Sequence, residues 1–185
     1  MNSAGTVGRD ERIRLFCALE LPGEAVDRLA AWQQEAFAGA DVRVLPREHL
    51  HVTLAFLGHR PSGELPAIVD ALRDAGRGAE QPLLTARRYR ETRSVGMLVL
   101  EDAEERATRL AVDLQDRLER LGVYEPERRR WLPHLSVIRF RRAPKLSPEL
   151  PDLGPIAPSE AAVFISRLRP TGAQYEVIEN VALGG

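Results

Sequence analysis

The sequence predicts an α+β fold with two pseudo-symmetric lobes, each an antiparallel-rich sheet with helices on its outer side. Three observations lead to this prediction. Short aliphatic runs and amphipathic stretches follow one another in the order strand–helix–strand, and this order occurs twice. Two more strand-like runs flank Pro170-Thr171-Gly172, which is typical of a hairpin. Finally, a His–apolar–hydroxyl–apolar pattern occurs at His51 and again at His134, close to half a chain length further on.

The first half of the chain is predicted to contain three strands and two helices. Its strands are rich in aliphatic residues and end at Gly or Pro, as at Gly58 and Pro61. Ser62 is a suitable N-cap for the second helix, whose Leu65, Ile68 and Leu72 recur at helical spacing. The predicted strands cover residues 13–20, 42–45 and 49–57, and the predicted helices cover 23–37 and 62–75.

The second half is predicted to repeat this order and to end in the hairpin. Its helix has alanines and leucines at spacings of three and four, and Gly122 ends it. A proline-rich connection over 143–158 precedes the hairpin. The predicted strands cover 82–89, 96–101, 131–140, 161–168 and 173–181, and the helix covers 104–121.

Composition places these elements in one soluble domain. Hydrophobic residues make up 44% of the 185 and charged residues 29%, which is sufficient for a core. We expect a flexible tail over 1–12 and a single bilobal domain over 13–185. No apolar run reaches the roughly 20 residues of a membrane helix, so no membrane partner is expected. Cys17, the one cysteine, lies in an apolar run and is expected to be buried and unreactive. These features indicate a cytoplasmic protein, and a cleft within one chain indicates a monomer.

The two histidine motifs indicate phosphodiester chemistry. On a strand, side chains alternate faces, so His51 and Thr53 share one face while Val52, Leu54 and Phe56 take the other. His134 and Ser136 share a face in the same way. An imidazole can carry a proton near neutral pH, and a hydroxyl can donate to a bound oxyanion. Two such groups facing each other would hold a phosphate between a general base and a general acid, with no metal.

Other site types are less consistent with the sequence. The formal net charge is −1, so an anion site must be local. His49 and His51 form a His-x-His pair, but no second cluster at ligand spacing accompanies it, so we expect no metal and no other cofactor. Two basic groups admit two interpretations, a solvated edge or a phosphate track suited to RNA. Their members are Arg128, Arg129, Arg130, Arg139, Arg141, Arg142 and Lys145, and Arg87, Arg88, Arg90 and Arg93.

Four segments of the sequence resemble the 2H phosphoesterase superfamily. The segments are 14–22, 48–58, 131–139 and 166–176, and the resemblance runs from about residue 13 to residue 178. Within the superfamily, the chain is similar to RNA 2′,3′-cyclic phosphodiesterases, also described as bacterial 2′-5′ RNA ligases. The resemblance implies a cleft between the lobes that binds an RNA 2′,3′-cyclic phosphate end. It implies hydrolysis to a 2′-phosphomonoester, with reversible 2′-5′ ligation by the same groups.

The resemblance also implies roles for individual residues. His51 would be the acid and His134 the base, although the two motifs are nearly equivalent and the residues alone leave the assignment open. Thr53, Ser136 and Arg139 would hold the phosphate. Ser136 stands where the family usually has threonine, which makes its hydroxyl less preorganised.

The roles of Arg139 and of the aromatic residues near the motifs depend on the face of the strand to which each side chain points. Strict alternation would turn Arg139 away from His134, so its implied role requires a bulge or a strand end. Its counterpart in the first motif is Phe56, and we therefore expect the phosphate nearer the second lobe. Phe56, Trp131 and Tyr175 are candidate base or cleft contacts.

Two alternatives are open at this stage. The same chemistry would also serve 2′-5′-linked oligonucleotides or free cyclic nucleotides, although the basic residues favour RNA. A non-catalytic RNA-binding module with the same fold is the second alternative.

Overall fold

A computed structural model describes residues 11–184, which form two sheets and three helices. Short 3₁₀ turns precede the third strand and the second and third helices. In chain order the elements are β1 (Arg12–Glu20), α1 (Gly23–Ala36), β2 (Arg43–Val44), β3 (His51–Pro61), α2 (Leu65–Arg77), β4 (Leu84–Glu91), β5 (Val95–Asp102), α3 (Arg106–Arg120), β6 (His134–Arg139), β7 (Glu160–Arg169) and β8 (Gly172–Ala182).

Both sheets are antiparallel and four-stranded, which confirms the predicted α+β class. Sheet A has the strand order β3-β1-β7-β8, and sheet B has the order β2-β6-β5-β4. The sheets do not correspond to the two halves of the chain. Strand β2 crosses from the first half into sheet B, while the predicted closing hairpin, β7 and β8, completes sheet A. The two strands that carry the histidine motifs lie in different sheets, β3 in sheet A and β6 in sheet B.

The helices cover the sheets through regular apolar faces. In α3 the buried side chains Leu110, Leu114 and Leu118 recur every four residues. This helix begins at Arg106 rather than at 104, because Ala103–Glu105 form a 3₁₀ turn. Asp102 satisfies the free amides at its start, since its carboxylate accepts from the backbone amides of Ala107 and Thr108 at 3.0 and 2.7 Å.

Several strand boundaries differ from the predicted ones for local reasons. Strand β1 begins at Arg12, inside the predicted tail, and the remainder of that tail to residue 10 lies outside the described residues. Strand β3 begins at His51 because 47–49 form a 3₁₀ turn. Strand β6 begins at His134 because Pro133 has no amide hydrogen to join the ladder.

Cys17 is fully buried in β1, and desolvation raises the pKa of its thiol to about 12. This confirms its interpretation as a small core residue. Within the described residues, no helix is long and apolar enough to cross a bilayer.

Candidate active site between the two sheets

The two motif strands contact each other between the sheets. Strand β3 is the edge strand of sheet A and packs against β6 of sheet B. The indole Nε1 of Trp131 donates to the carbonyl of Thr53 at 3.1 Å and ties the two lobes together. A cavity of about 560 Å³ opens beside this contact. Its walls include six side chains that the sequence predicted for the site, namely His51, Thr53, Phe56, Ser136, Arg139 and Tyr175.

A β-bulge in β6 brings Arg139 onto the cleft face. Met97 of β5 pairs with Ser136, and the next residue, Gly96, pairs with Ile138. Val137 is therefore an extra residue on β6, and alternation changes phase after it. Ser136 and Arg139 consequently both line the cavity. Of the two features that the implied role of Arg139 required, a bulge or a strand end, the structure has the bulge.

Strand β3 has the same bulge at the equivalent position. Ala18 of β1 pairs with Thr53, whereas Cys17 pairs with Ala55, so Leu54 is the extra residue. The prediction that Phe56 packs on the side opposite His51 and Thr53 is therefore wrong. Phe56 has 47% of its surface exposed and lines the cavity with Thr53. Strict alternation failed here because a bulge shifts the phase by one residue.

A helix glutamine binds the carbonyl of each bulged residue. Gln115 of α3 donates through Nε2 to the Leu54 carbonyl at 2.7 Å. Gln33 of α1, which is buried, donates through Nε2 to the Val137 carbonyl at 2.7 Å and to the Leu45 carbonyl at 3.2 Å. Because a bulge interrupts the ladder, these bonds supply partners for carbonyls at the break.

His134 is oriented by a backbone carbonyl two residues earlier in the chain. Nδ1 of His134 lies 2.8 Å from the Leu132 carbonyl. A carbonyl only accepts, so Nδ1 of His134 carries the hydrogen in this contact. The other ring nitrogen, Nε2, is then left for substrate.

His51 is neutral at physiological pH in the unliganded protein. Desolvation, with smaller contributions from the nearby His49 and His134, lowers its pKa from the usual 6.5 to about 4. Its ring stacks on Phe16 with 4.9 Å between ring centroids and meets Tyr175 edge-on at 5.6 Å. His134 does not itself line the cavity, but it is near enough to contribute to the lowering of the His51 pKa.

The first lobe carries a cation that the sequence gave little reason to expect. Arg14 of β1 places its guanidinium 4.7 Å from the centre of the Phe56 ring and donates to the Ser166 hydroxyl at 2.8 Å. It lines the same cavity as Arg139. Its position as the one charged residue in the apolar run 13–19 was the one available signal. Arg43 and Arg169 also line the cavity and were not predicted as site residues.

The remaining candidates separate into cleft and core positions. Tyr175 lines the cavity and packs on His49 with 4.2 Å between ring centroids. His49 is buried, and desolvation lowers its pKa. Trp131 is half-buried and lies against the core, not on the cavity wall. In the described part of the chain, no three His, Cys, Asp or Glu side chains are grouped as metal ligands.

The arginines of the two predicted basic groups divide into those that pair with acids on the surface and those that lie near the cleft. Arg130 pairs with Glu105, and Arg87 lies 3.9 Å from Glu101, so these two are engaged on the surface. Arg139, Arg141 and Arg142 lie together at the end of β6. Only part of the stretch therefore adjoins the cleft.

Two sheets that each present a His-x-Thr or His-x-Ser strand to one cleft define a 2H phosphoesterase. Comparison with known proteins agrees. The model of the LigT-like phosphoesterase family matches residues 19–90. An RNA 2′,3′-cyclic phosphodiesterase from Thermus thermophilus is 32% identical over 184 residues, covering 94% of this chain and 91% of that protein. The chain belongs to the LigT-like phosphoesterase family.

Solved structures show the same fold. The crystal structure of Thermus thermophilus TT0787 superposes with a TM-score of 0.80 at 27% identity, covering 94% of this chain and 99% of that one. E. coli LigT in complex with NADP+ gives a TM-score of 0.79 at 26% identity, covering 95% and 99%. The predicted family and two-lobed architecture are thereby confirmed.

Proposed function

We propose that this protein hydrolyses RNA 2′,3′-cyclic phosphate ends to 2′-phosphomonoesters by two-histidine general acid–base catalysis. One observation carries the proposal. The two motif strands lie against each other from different sheets, and the histidine of β6 is oriented by the carbonyl two residues before it. The activity in the name of the Thermus thermophilus relative supports the choice of substrate.

The phosphate contacts come from both strands and from flanking cations. Thr53 and Ser136 offer hydroxyl donors, and Arg139 offers a guanidinium on the same cavity wall. These groups would stabilise the negative charge as it shifts among the phosphate oxygens in the transition state. Arg14 adds a second cation from the side of Phe56. The phosphate therefore contacts both lobes and not the second one alone.

The protons move between the two histidines and the substrate. With hydrogen on Nδ1, neutral His134 has a lone pair at Nε2 and can accept a proton from the attacking water. His51 donates to the departing 3′ oxygen. Burial keeps His51 neutral in the free protein, and the negative phosphate would raise its pKa on binding. Ligation of a 5′-hydroxyl would use the same groups in the same roles, with the hydroxyl in place of the attacking water and the 3′ oxygen again leaving.

Phosphorus NMR on a cyclic-phosphate-ended oligonucleotide in EDTA tests the proposal. We expect the cyclic phosphate signal to be replaced by that of a 2′-monoester, and no such change with His134→Ala. A 3′-monoester product would contradict the assignment of the leaving group. Turnover that requires an added divalent metal would contradict the two-histidine mechanism.

The same assay separates the other candidate functions. Cleavage of 2′-5′-linked oligonucleotides or of free cyclic nucleotides at higher kcat/KM would change the substrate assignment. Tight RNA binding with no turnover would indicate a non-catalytic RNA-binding module instead of an enzyme.

A further inference from the structure

A second cavity continues from the cleft along the end of β6. It has a volume of about 630 Å³, and we call it the arginine groove, defined by Asp41, Arg43, Arg139, Phe140, Arg141 and Arg142, with Val42. Arg43 and Arg139 line both the groove and the cleft, so the two cavities share a wall. Four guanidinium groups and one carboxylate give this wall a strong positive charge.

Among the described residues, none of the four arginines forms an ion pair with a carboxylate. Ion pairs in the described part of the chain involve other arginines and leave out all four. Arg43 and Arg139 are moreover direct partners on the adjacent strands β2 and β6. Such a pair has Cβ atoms about 5 Å apart, and like charges in this position are unfavourable. An anion bound between them would remove the repulsion.

Gly172 gives Arg43 its position at the junction. This glycine begins β8 with φ of 123°, and a Cβ atom there would lie 2.4 Å from a guanidinium nitrogen of Arg43. The missing side chain therefore leaves room for the guanidinium. The side chain of Arg43, a residue of sheet B, thus reaches the β7–β8 hairpin of sheet A beside the cleft.

We infer that the arginine groove binds the first internal phosphate of the RNA, so that the enzyme prefers cyclic-ended RNA to a free 2′,3′-cyclic mononucleotide. This inference rests on the proposed function. The cyclic phosphate lies at the 3′ end of the chain, so the only further phosphates are upstream. When the cyclic phosphate lies at Arg139, positively charged side chains continue past Arg43 to Arg141 and Arg142. The upstream phosphate would bind along this row.

The test compares kcat/KM on adenosine 2′,3′-cyclic phosphate with kcat/KM on a diadenosine carrying the same end. We expect the wild-type protein to have the higher kcat/KM on the dinucleotide. In the Arg141→Gln/Arg142→Gln variant, the ratio of kcat/KM on the dinucleotide to kcat/KM on the mononucleotide should fall roughly fivefold to tenfold. The wild-type KM for the dinucleotide should also rise more steeply with salt, by about 0.7 in log–log slope per added phosphate contact.

Arg128→Gln is the matched control, because Arg128 belongs to the same basic stretch but lines neither cavity. It should keep the wild-type ratio. An equal fall in this control would indicate general electrostatic steering and overturn the subsite. An unchanged ratio in the double variant would also overturn it. Absence of turnover on both substrates by the wild-type protein would instead contradict the proposed function.

Discussion

Strands β3 and β6 share a scaffold but differ in what they offer a phosphate. Residues 51–56 and 134–139 have the same sequence of buried and exposed positions. Each strand bulges after its hydroxyl residue, and a helix glutamine binds each bulged carbonyl. The third cleft position, however, is Phe56 in one strand and Arg139 in the other. Under the proposed mechanism, the two strands therefore duplicate the proton-transfer groups and the hydroxyl donors, but only β6 adds a charged donor to the phosphate.

The histidines should show the largest and most similar effects. His51→Ala and His134→Ala should each lower kcat by roughly 10² to 10⁴, because each removes one proton-transfer group. The double variant should lose little more than either single variant, since the two act as a unit. Steady-state kinetics on a cyclic-ended dinucleotide measures this. Full activity in either single variant would break the proposed equivalence of the strands.

Substitutions at the third cleft position, Phe56 in β3 and Arg139 in β6, should have clearly different effects on kcat. Arg139→Gln should lower kcat by about 10², because it removes a charged donor to the developing negative charge. Phe56→Ala should act mainly on KM and by only a few-fold, because its ring contacts Arg14 and carries no proton donor or charge. Equal losses of kcat in the two variants would show that the lobes share phosphate binding equally.

The glutamine at the β3 bulge should give an intermediate effect. Gln115→Met keeps the side-chain length but leaves the Leu54 carbonyl without its 2.7 Å donor. We expect kcat to fall about tenfold with little change in KM, and the free energy of unfolding to fall by about 1–3 kcal/mol.

Gln115→Glu sharpens this experiment, because it keeps the side-chain shape but changes the donor to an acceptor. It should lower kcat at least as much as Gln115→Met. Loss of stability with unchanged kcat in both variants would limit Gln115 to a structural role.

The hydroxyl difference should give the smallest effect. Ser136→Thr would make the second motif match the first, and its β-branch would restrict χ1 and preorganise the hydroxyl. We expect kcat to rise by no more than a few-fold. Thr53→Ser is the reciprocal control and should lower kcat by a similar factor. A large loss of kcat in Ser136→Thr would show that the cleft at this position has no room for a methyl group.

Much of this arrangement is predictable from the sequence, and the exceptions have identifiable causes. The paired histidines and the strand periodicity indicate the site and the α+β class. The bulge at Leu54 is not predictable from alternation, because nothing in an apolar run marks the extra residue, and Phe56 was therefore placed on the wrong face. Arg14 and Arg43 were missed because they reach the cleft only through the pairing of distant strands.

The central claim, that one histidine from each strand serves as acid or base, is tested most directly by pH profiles of kcat/KM. The acid must be protonated and the base neutral, so the wild-type rate falls at both pH extremes. Since the pKa of His51 is about 4 in the free protein, the wild-type profile should bend near pH 4.

The two alanine variants assign the roles through the residual activity. His51→Ala should lose the fall at high pH, because no acid is left to deprotonate. His134→Ala should lose the fall at low pH, because no base is left to protonate. The reverse pattern would exchange the two roles. Both limbs persisting in both variants would contradict the account, since the proton-transfer groups would then lie elsewhere.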